Sequence, residues 1–319
     1  MNEYEITCPV YLISGFLDSG KTSFINFTVG EEYFEIDGLT LLLICEQGEE
    51  EYDEQYLLNH NTVPEYIENK EDLNLDKLKE LRRKYRPERV LIEYNSFWSV
   101  KDVEEMEMPR GWGIVQEIVL ADASTFLTYM NNMKSLFMEM ARNADMLTFN
   151  RCTEDLPLAN FRRSVKVANP ACEILFEDKN GDVVDIFENA LPYDVNADII
   201  NIEDEDFGIF FVDARDNPET YNGKTVRIHG QVYKNRDPRS DVFVPGRMAM
   251  TCCADDMQFI GFLCKSKQAG RLKAGGWVNV TAEIRFERAH EYNDEVGPVL
   301  YATKIEEAEP AAVEWVAFT

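Results

Sequence analysis

The chain reads as an α/β protein, a mostly parallel sheet with helices on both faces, followed by a small all-β barrel. Three observations predict this. A strand-like run, Val10-Tyr11-Leu12-Ile13-Ser14, leads into Gly15-Phe16-Leu17-Asp18-Ser19-Gly20-Lys21-Thr22, a complete GxxxxGK[ST] phosphate loop. Short apolar runs then alternate with helix-period segments, the grammar of a parallel sheet. In the last third only strand-like runs recur. The expected organisation is a P-loop NTPase domain over 1–190, an acidic linker over 191–218, an OB-like barrel over 219–310 and a tail over 311–319.

Each element has its own signal. Lys21 to Phe27 reads as a helix start, and Leu41-Leu42-Leu43-Ile44 as a second buried strand running into the acidic stretch Glu46 to Asp53. Leu75, Leu78 and Leu81 recur at helical spacing before Pro87, which stops the helix. Val90-Leu91-Ile92-Glu93 is a third strand ending in a carboxylate, and Gly113 to Leu120 a fourth. Phe126, Tyr129, Met130, Met133, Phe137 and Met140 then mark one face of a long helix, read as core packing. Met146 to Asn150 is expected as a fifth strand and Ser164 to Val167 as a sixth. Leu191 to Thr220, rich in Asp, Asn, Glu and Pro, reads as a connector with a short apolar island at Phe207 to Val212. The barrel strands are Thr225–Tyr233, Val242–Cys252, Phe259–Lys265, Trp277–Phe286 and Val299–Ile305, with a short insert after the third. That pattern suggests an OB-like barrel, an SH3-like barrel or small sandwich being the alternatives.

The formal charge of −27 is unevenly placed. Residues 1–221 carry 19 Lys and Arg against 46 Asp and Glu, whereas residues 222–308 carry 13 against 11. The acidic part should repel nucleic acid and anionic membrane outside its phosphate loop. No charged leader and no apolar run of membrane-spanning length is seen, so a cytoplasmic location is expected. Seven cysteines, scattered and odd in number, read as reduced thiols or metal ligands rather than a disulfide framework.

The loop's chemistry follows from its residue types. Gly15 and Gly20 let the backbone turn and approach a ligand. Successive N–H groups along Phe16, Leu17, Asp18 and Ser19, and the helix start at Lys21-Thr22-Ser23, supply positive potential. Lys21, expected as an exposed cation, would reach the β/γ-phosphates, and Thr22 would ligate Mg²⁺. Asp18 is an unexpected acid in a phosphate cradle, expected to point outward or to hold a monovalent cation.

This loop with Phe24-Ile25-Asn26, the stretch Cys45-Glu46-Gln47-Gly48-Glu49, the strand end Leu91-Ile92-Glu93 and Ala121-Asp122-Ala123 together resemble CobW-type GTPases, of the same group as the nickel chaperones UreG and HypB. The resemblance covers about residues 6–190 and implies a GTP-driven metallochaperone or metal insertase. By it, Glu46 or Glu49 would contact Mg²⁺ through water or orient the attacking water, and Glu93 takes the Walker-B-like position. Three departures stand out. The Cys-x-Cys-Cys motif usual in the family is absent, leaving only Cys45. Asn150-Arg151-Cys152-Thr153 replaces the guanine-reading Asn-Lys-x-Asp, which leaves GTP or ATP open. Glu93-Tyr94-Asn95-Ser96 lacks the glycine that senses the γ-phosphate.

In the barrel, Arg247 to Asp256 is the outstanding segment. Cys252, Cys253 and Asp255 are candidate ligands of Zn²⁺ or another soft metal, completed by Cys264, His229 or His290 if the fold brings them close. With Asp241 to Gly246 this segment resembles the C-terminal domain of permease subunits related to YcgQ, which implies a transporter partner. The functional readings are therefore a Mg²⁺-dependent GTPase coupled to metal handling or to a permease, a non-hydrolysing nucleotide-dependent scaffold, and, least favoured, a nucleic-acid module. The last would stack bases on Phe243, Phe262, Trp277, Phe286 and Tyr292 beside Arg227, Lys265, Arg271 and Arg285. The metal client and oligomeric state are open.

Overall fold

The phosphate-loop strand, β1 (Cys8–Gly15), is apolar on both faces and lies in the middle of a wholly parallel sheet. In chain order the elements after it are α1 (Lys21–Gly30), β2 (Thr40–Ile44), α2 (Glu54–Asn59), β3 (Thr62–Tyr66), α3 (Leu75–Tyr85), β4 (Arg89–Glu93), α4 (Val100–Glu104), β5 (Trp112–Asp122), α5 (Phe126–Asn143), β6 (Met146–Asn150), α6 (Leu158–Ala168) and β7 (Glu173–Phe176). The seven strands lie in the order β3-β2-β4-β1-β5-β6-β7. Strands β2 and β4 are buried along their whole length, as central parallel strands must be. The computed structural model describes residues 5–184, 191–234, 241–250, 257–292 and 294–316. It divides into two units, Met1–Leu158 with Ala171–Ile186, and Ala159–Pro170 with Phe187–Thr319.

Local chemistry accounts for the boundaries. Helix α3 starts at Asn74, whose side chain accepts the Lys77 N–H at 3.0 Å, buries Leu78 and Leu81, and ends at Arg86 in a left-handed conformation before Pro87. The aromatic stripe of α5 is core: Phe126, Phe137, Met138 and Met140 are buried, and Tyr129 stacks on Phe16 with centroids 4.1 Å apart. Ser164 to Val167 is a correction. The run is not a strand but part of α6, where Leu158, Phe161 and Val165 bury one stripe at helical spacing. The edge strand is instead β7.

The second unit is a closed barrel. Its elements are β8 (Ile200–Asn201), α7 (Phe207–Asp216), α8 (Pro218–Tyr221), β9 (Thr225–Tyr233), β10 (Val242–Met250), β11 (Met257–Gly261), β12 (Leu263–Lys265), β13 (Trp277–Arg288), β14 (Val296–Ala308) and β15 (Trp315–Val316). Pairing runs β9-β10-β12-β14-β13 and returns to β9, with β12 and β14 parallel. Five strands closed in that order make the small all-β barrel expected from the sequence. Gly246 is the switch point, pairing with Gln231 on one side and Gly261 on the other. A Cβ there would stand 2.2 Å from the Ile260 carbonyl oxygen, so only glycine lets the strands pass so closely.

Residues 191–218 differ from the connector expectation. The apolar island forms α7, and Phe207, Phe210 and Phe211 enter the barrel's core with Tyr221, Phe243 and Phe262. Acidic flanks concealed a helix buried on most sides. Part of the stretch expected as a tail is structured, since β15 (Trp315–Val316) pairs in parallel with β10 through Met248 and Ala249.

Candidate functional site

Between β1 and α1 the backbone turns through Gly15 at φ 138°, Asp18 at φ 58° and Gly20 at φ 93°. A Cβ on Gly15 would lie 2.2 Å from the Leu120 carbonyl oxygen, so the cradle's first glycine is obligatory on packing as well as on dihedral grounds. Gly20 closes the loop as the N-cap of α1 without a side-chain cap, and the helix's first N–H groups remain available. The loop is braced from β6: Asn150 Nδ2 donates to the Ser19 carbonyl at 2.7 Å, and Arg151 Nη1 donates to that of Asp18 at 2.9 Å. Phe16 is buried under Tyr129, Leu17 is partly exposed, and the Ser19 hydroxyl is buried with no partner among the described residues.

Lys21 corrects the expectation of an exposed cation. Its residue is only 4% exposed, and its ammonium donates to the carbonyls of Gly15 and Phe16 at 3.0 Å each and to Glu46 Oε2 at 2.8 Å. Glu46 in turn accepts the Ser96 N–H at 3.1 Å, and the Ser96 hydroxyl donates to the Gly15 carbonyl at 3.1 Å. The cation is curled back on its own loop and neutralised.

Thr22 and Glu93 meet. The threonine hydroxyl donates to Glu93 Oε1 at 2.9 Å, and the Tyr52 phenol donates to Oε2 at 2.7 Å. Burial pushes the Glu93 carboxyl above the usual range, against the opposing pull of Tyr52, Lys21 and Thr22. Burial and the Glu93 charge likewise push the Tyr52 phenol up, so it stays a proton donor. The acidic stretch after β2 continues across the loop: the Glu49 N–H meets Asp18 Oδ1 at 3.3 Å and Glu50 accepts from Ser23. Glu49 lines the cavity, where Asp18 is an acceptor for this stretch.

These groups enclose a cavity of about 180 Å³, lined by Lys21, Thr22, Glu46, Glu49, Glu93 and Arg151 among others. The donor set fits a triphosphate with Mg²⁺: backbone N–H groups and an ammonium for phosphate oxygens, and a hydroxyl beside a carboxylate for a hard cation. Of the residues the sequence brings forward, Lys21, Thr22, Glu46, Glu49 and Glu93 line this cavity, while Asn150 braces the loop beside it. The sequence had not singled out Tyr52, Ser96 or Arg151. Ser96 stands three residues after the strand-end carboxylate, which is a usable signal; Tyr52 had none.

The soft-metal candidates Cys252, Cys253 and Asp255 lie outside the described residues. Two of their proposed completing ligands, Cys264 and His229, are engaged elsewhere. Cys264 is in the barrel core, where burial pushes its thiol up to about 12, and His229 binds Asp204 Oδ1 through Nδ1 at 2.8 Å and the Glu309 carbonyl through Nε2 at 3.0 Å. His290 is exposed. Among the described residues no group of three or more His, Cys, Asp or Glu is placed to hold a metal. The stacking surface for nucleic acid does not form either, because Phe243 and Phe262 are buried and Trp277 lies under Arg247. Lys265 and Arg285 are paired with Glu287 and Glu283.

Sheet order and loop together define the first unit as a P-loop NTPase fold. Residues 183–316 match the family model described as the DUF1980 C-terminal domain, consistent with a distinct C-terminal domain. Solved structures similar to the chain include the hydrogenase maturation factor HypB from Archaeoglobus fulgidus, with 15% identity over 55% of this chain and 83% of that one and a TM-score of 0.40. Zn(II)-bound YjiA GTPase from E. coli is 17% identical over 71% and 73% with a TM-score of 0.43, and nickel-bound HypB from Helicobacter pylori 14% over 55% and 80% with 0.37. No curated protein sequence matches significantly. Among the described residues no helix is long and apolar enough to cross a membrane.

Proposed function

We propose that the chain is a Mg²⁺-dependent NTPase, a GTPase of the metal-handling class, whose nucleotide state governs a transaction carried out with its C-terminal barrel. The observation that carries the reading is the contact of Thr22 with the buried Glu93 beside Lys21, a cation-ligand pair next to a phosphate grip. Thr22 and Glu93 would hold Mg²⁺, Lys21 would turn from Glu46 to the β/γ-phosphates, and the released Glu46 would face the attacking water. The metal client, or a permease as partner, enters through the sequence resemblance, with Cys252, Cys253 and Asp255 as the soft-metal ligands. Titration with GTP and ATP, with Mg²⁺ and with EDTA, tests the reading. Binding no tighter than millimolar, unaffected by Lys21→Ala, removes it.

A second reading rests on the Lys21–Glu46–Ser96 lock, which competes with phosphate for the cradle's ammonium. A non-hydrolysing, nucleotide-dependent scaffold would keep that lock through binding. It would bind GTP normally yet turn it over no faster than a Thr22 variant.

A further inference from the structure

A second cavity, of about 710 Å³, opens from the phosphate loop along β6 and the loop after β7, reaching Gly20, Asn150, Arg151, Glu177, Asp178 and Gly181. Its polar end lies where the sequence lost the aspartate of Asn-Lys-x-Asp. Of the carboxylates on the flanking segments, all but one are committed or remote. Asp122 is bound by Arg151 and Ser124; Asp178 accepts the Asn180 N–H at 2.7 Å, the Asp182 N–H at 3.0 Å and Asn180 Nδ2 at 2.9 Å, closing its own turn. Glu154, Asp155 and Asp182 are exposed and do not line the cavity.

Glu177 is the remaining one. Its backbone is pinned on both sides, its N–H donating to the Phe149 carbonyl at 2.8 Å and its carbonyl accepting from Cys152 at 2.8 Å. This ties the loop after β7 to the one after β6. Its half-buried carboxylate has no hydrogen bond or ion pair with any described residue, and it lines the same cavity as Asn150, whose Oδ1 is a second buried acceptor without a partner. Burial alone pushes the Glu177 carboxyl up. Two unsatisfied acceptors at the end of a phosphate cradle call for a ligand edge made of donors.

Resting on the NTPase reading, we propose that Glu177 is the specificity residue that reads the nucleobase, in place of the missing aspartate, and that it selects guanine. A carboxylate accepts in parallel from two adjacent donors, and guanine presents N1–H and the C2 amino group side by side. Adenine offers one amino group next to the N1 lone pair, which faces the carboxylate acceptor to acceptor. A site built around paired donors discriminates strongly against a base that lacks them.

Equilibrium binding of GTP, ATP, xanthosine triphosphate and inorganic tripolyphosphate, each with Mg²⁺, tests this on the parent and on Glu177→Gln. The parent should prefer GTP to ATP and to the xanthine nucleotide by tenfold or more, on the order of one charge-assisted hydrogen bond. Glutamine replaces one acceptor by an amide donor, so Glu177→Gln should lose about tenfold for GTP and gain a similar factor for xanthosine triphosphate, whose C2 carries an oxygen. Tripolyphosphate, gripped by the cradle alone, should bind both proteins alike and certifies the variant's fold. If the GTP-to-xanthosine triphosphate preference moves by less than about twofold while tripolyphosphate binding holds, Glu177 does not read the base. A parent that binds neither GTP nor tripolyphosphate overturns the NTPase reading itself, and this assignment with it.

Discussion

A cation is buried in each unit, Lys21 in the first and Arg247 in the second, and the two are used differently. Lys21 is 4% exposed and Arg247 1%. The partners of Lys21 are two carbonyls of its own loop and Glu46, a carboxylate that lines a cavity. Arg247 meets Asp204 at 3.0 Å, the Val313 carbonyl and the face of Trp277, all of them chain segments that must be brought together to close the barrel. One cation can exchange its partners for a ligand's oxygens without unfolding anything. The other can lose its partners only by releasing the C-terminal strand. A buried charge therefore signals binding when its partners border space, and architecture when they border other chain.

The largest effect that would break this comparison is on Lys21. Lys21→Ala should weaken Mg²⁺-nucleotide binding at least a hundredfold by equilibrium titration, in line with removal of one preorganised charge at a phosphate. It should also lower stability, because Glu46 is left buried and unpaired. Adding Glu46→Gln should restore the melting temperature and leave nucleotide binding lost. Recovery of binding in the double variant would mean that Lys21 matters only as the partner of Glu46.

Arg247 should behave in the opposite way. Arg247→Ala is expected to destabilise the barrel by about 2 kcal/mol, on the order of a lost hydrogen bond to a charged group, since Asp204 is 41% exposed and keeps His229. Arg247→Lys should recover little, since an ammonium cannot reproduce a fork that serves Asp204 and Val313 together. Denaturant unfolding monitored by tryptophan fluorescence reads this, Trp277 lying against the guanidinium. A lysine variant as stable as the parent would show that charge alone matters there.

The contrast also explains what the sequence disclosed. The phosphate cradle is contiguous, so Gly15 to Thr22 announced both its conformation and its chemistry. Glu93 was legible because a carboxylate at the end of a fully apolar strand needs a partner, and Thr22 and Tyr52 supply it. Tyr52 was not, since a tyrosine in an acidic loop says nothing until the fold lays that loop over β4. Ser164 to Val167 misled because four residues are too few to separate a strand from one turn of helix, and Phe161 and Leu158 lay outside the window. The burial of Lys21, like that of α7, depends on contacts far along the chain.

Tyr52 offers a smaller test. Glu93 must be ionised to hold Mg²⁺, and burial raises its pKa, so Mg²⁺-nucleotide affinity should fall as pH drops from neutrality toward the ordinary carboxylate range. Tyr52→Phe removes a hydrogen bond to the charged form, which raises the carboxyl further and moves that fall to higher pH. The expected weakening at neutral pH is about tenfold, one hydrogen bond to a charged group. A pH profile of Kd identical in the two proteins would place the Tyr52 contact outside the cation site.

The smallest effect concerns a carboxyl unconnected with either cation. Glu117 on β5 is pushed up to about 7, chiefly by burial and then by the charge of Glu104 and a hydrogen bond with it, with Asp145 adding to the repulsion. Asp145 is held close because its carboxylate accepts the Glu117 N–H at 2.8 Å. A carboxyl raised in the folded state binds its proton more tightly there than in the unfolded chain. Its contribution is thus complete below about pH 4.5 and is lost as pH rises through about 7. Glu117→Gln mimics the protonated form at every pH. The variant should match the parent near pH 4 and exceed it near pH 8 by about 1 kcal/mol, a figure reduced for solvent screening at a half-exposed site. Melting curves across that range decide it: a variant less stable than the parent at pH 8 would mean that the ionised Glu117 has a stabilising partner, and that this part of the sheet is organised around a charge, as the two cation centres are.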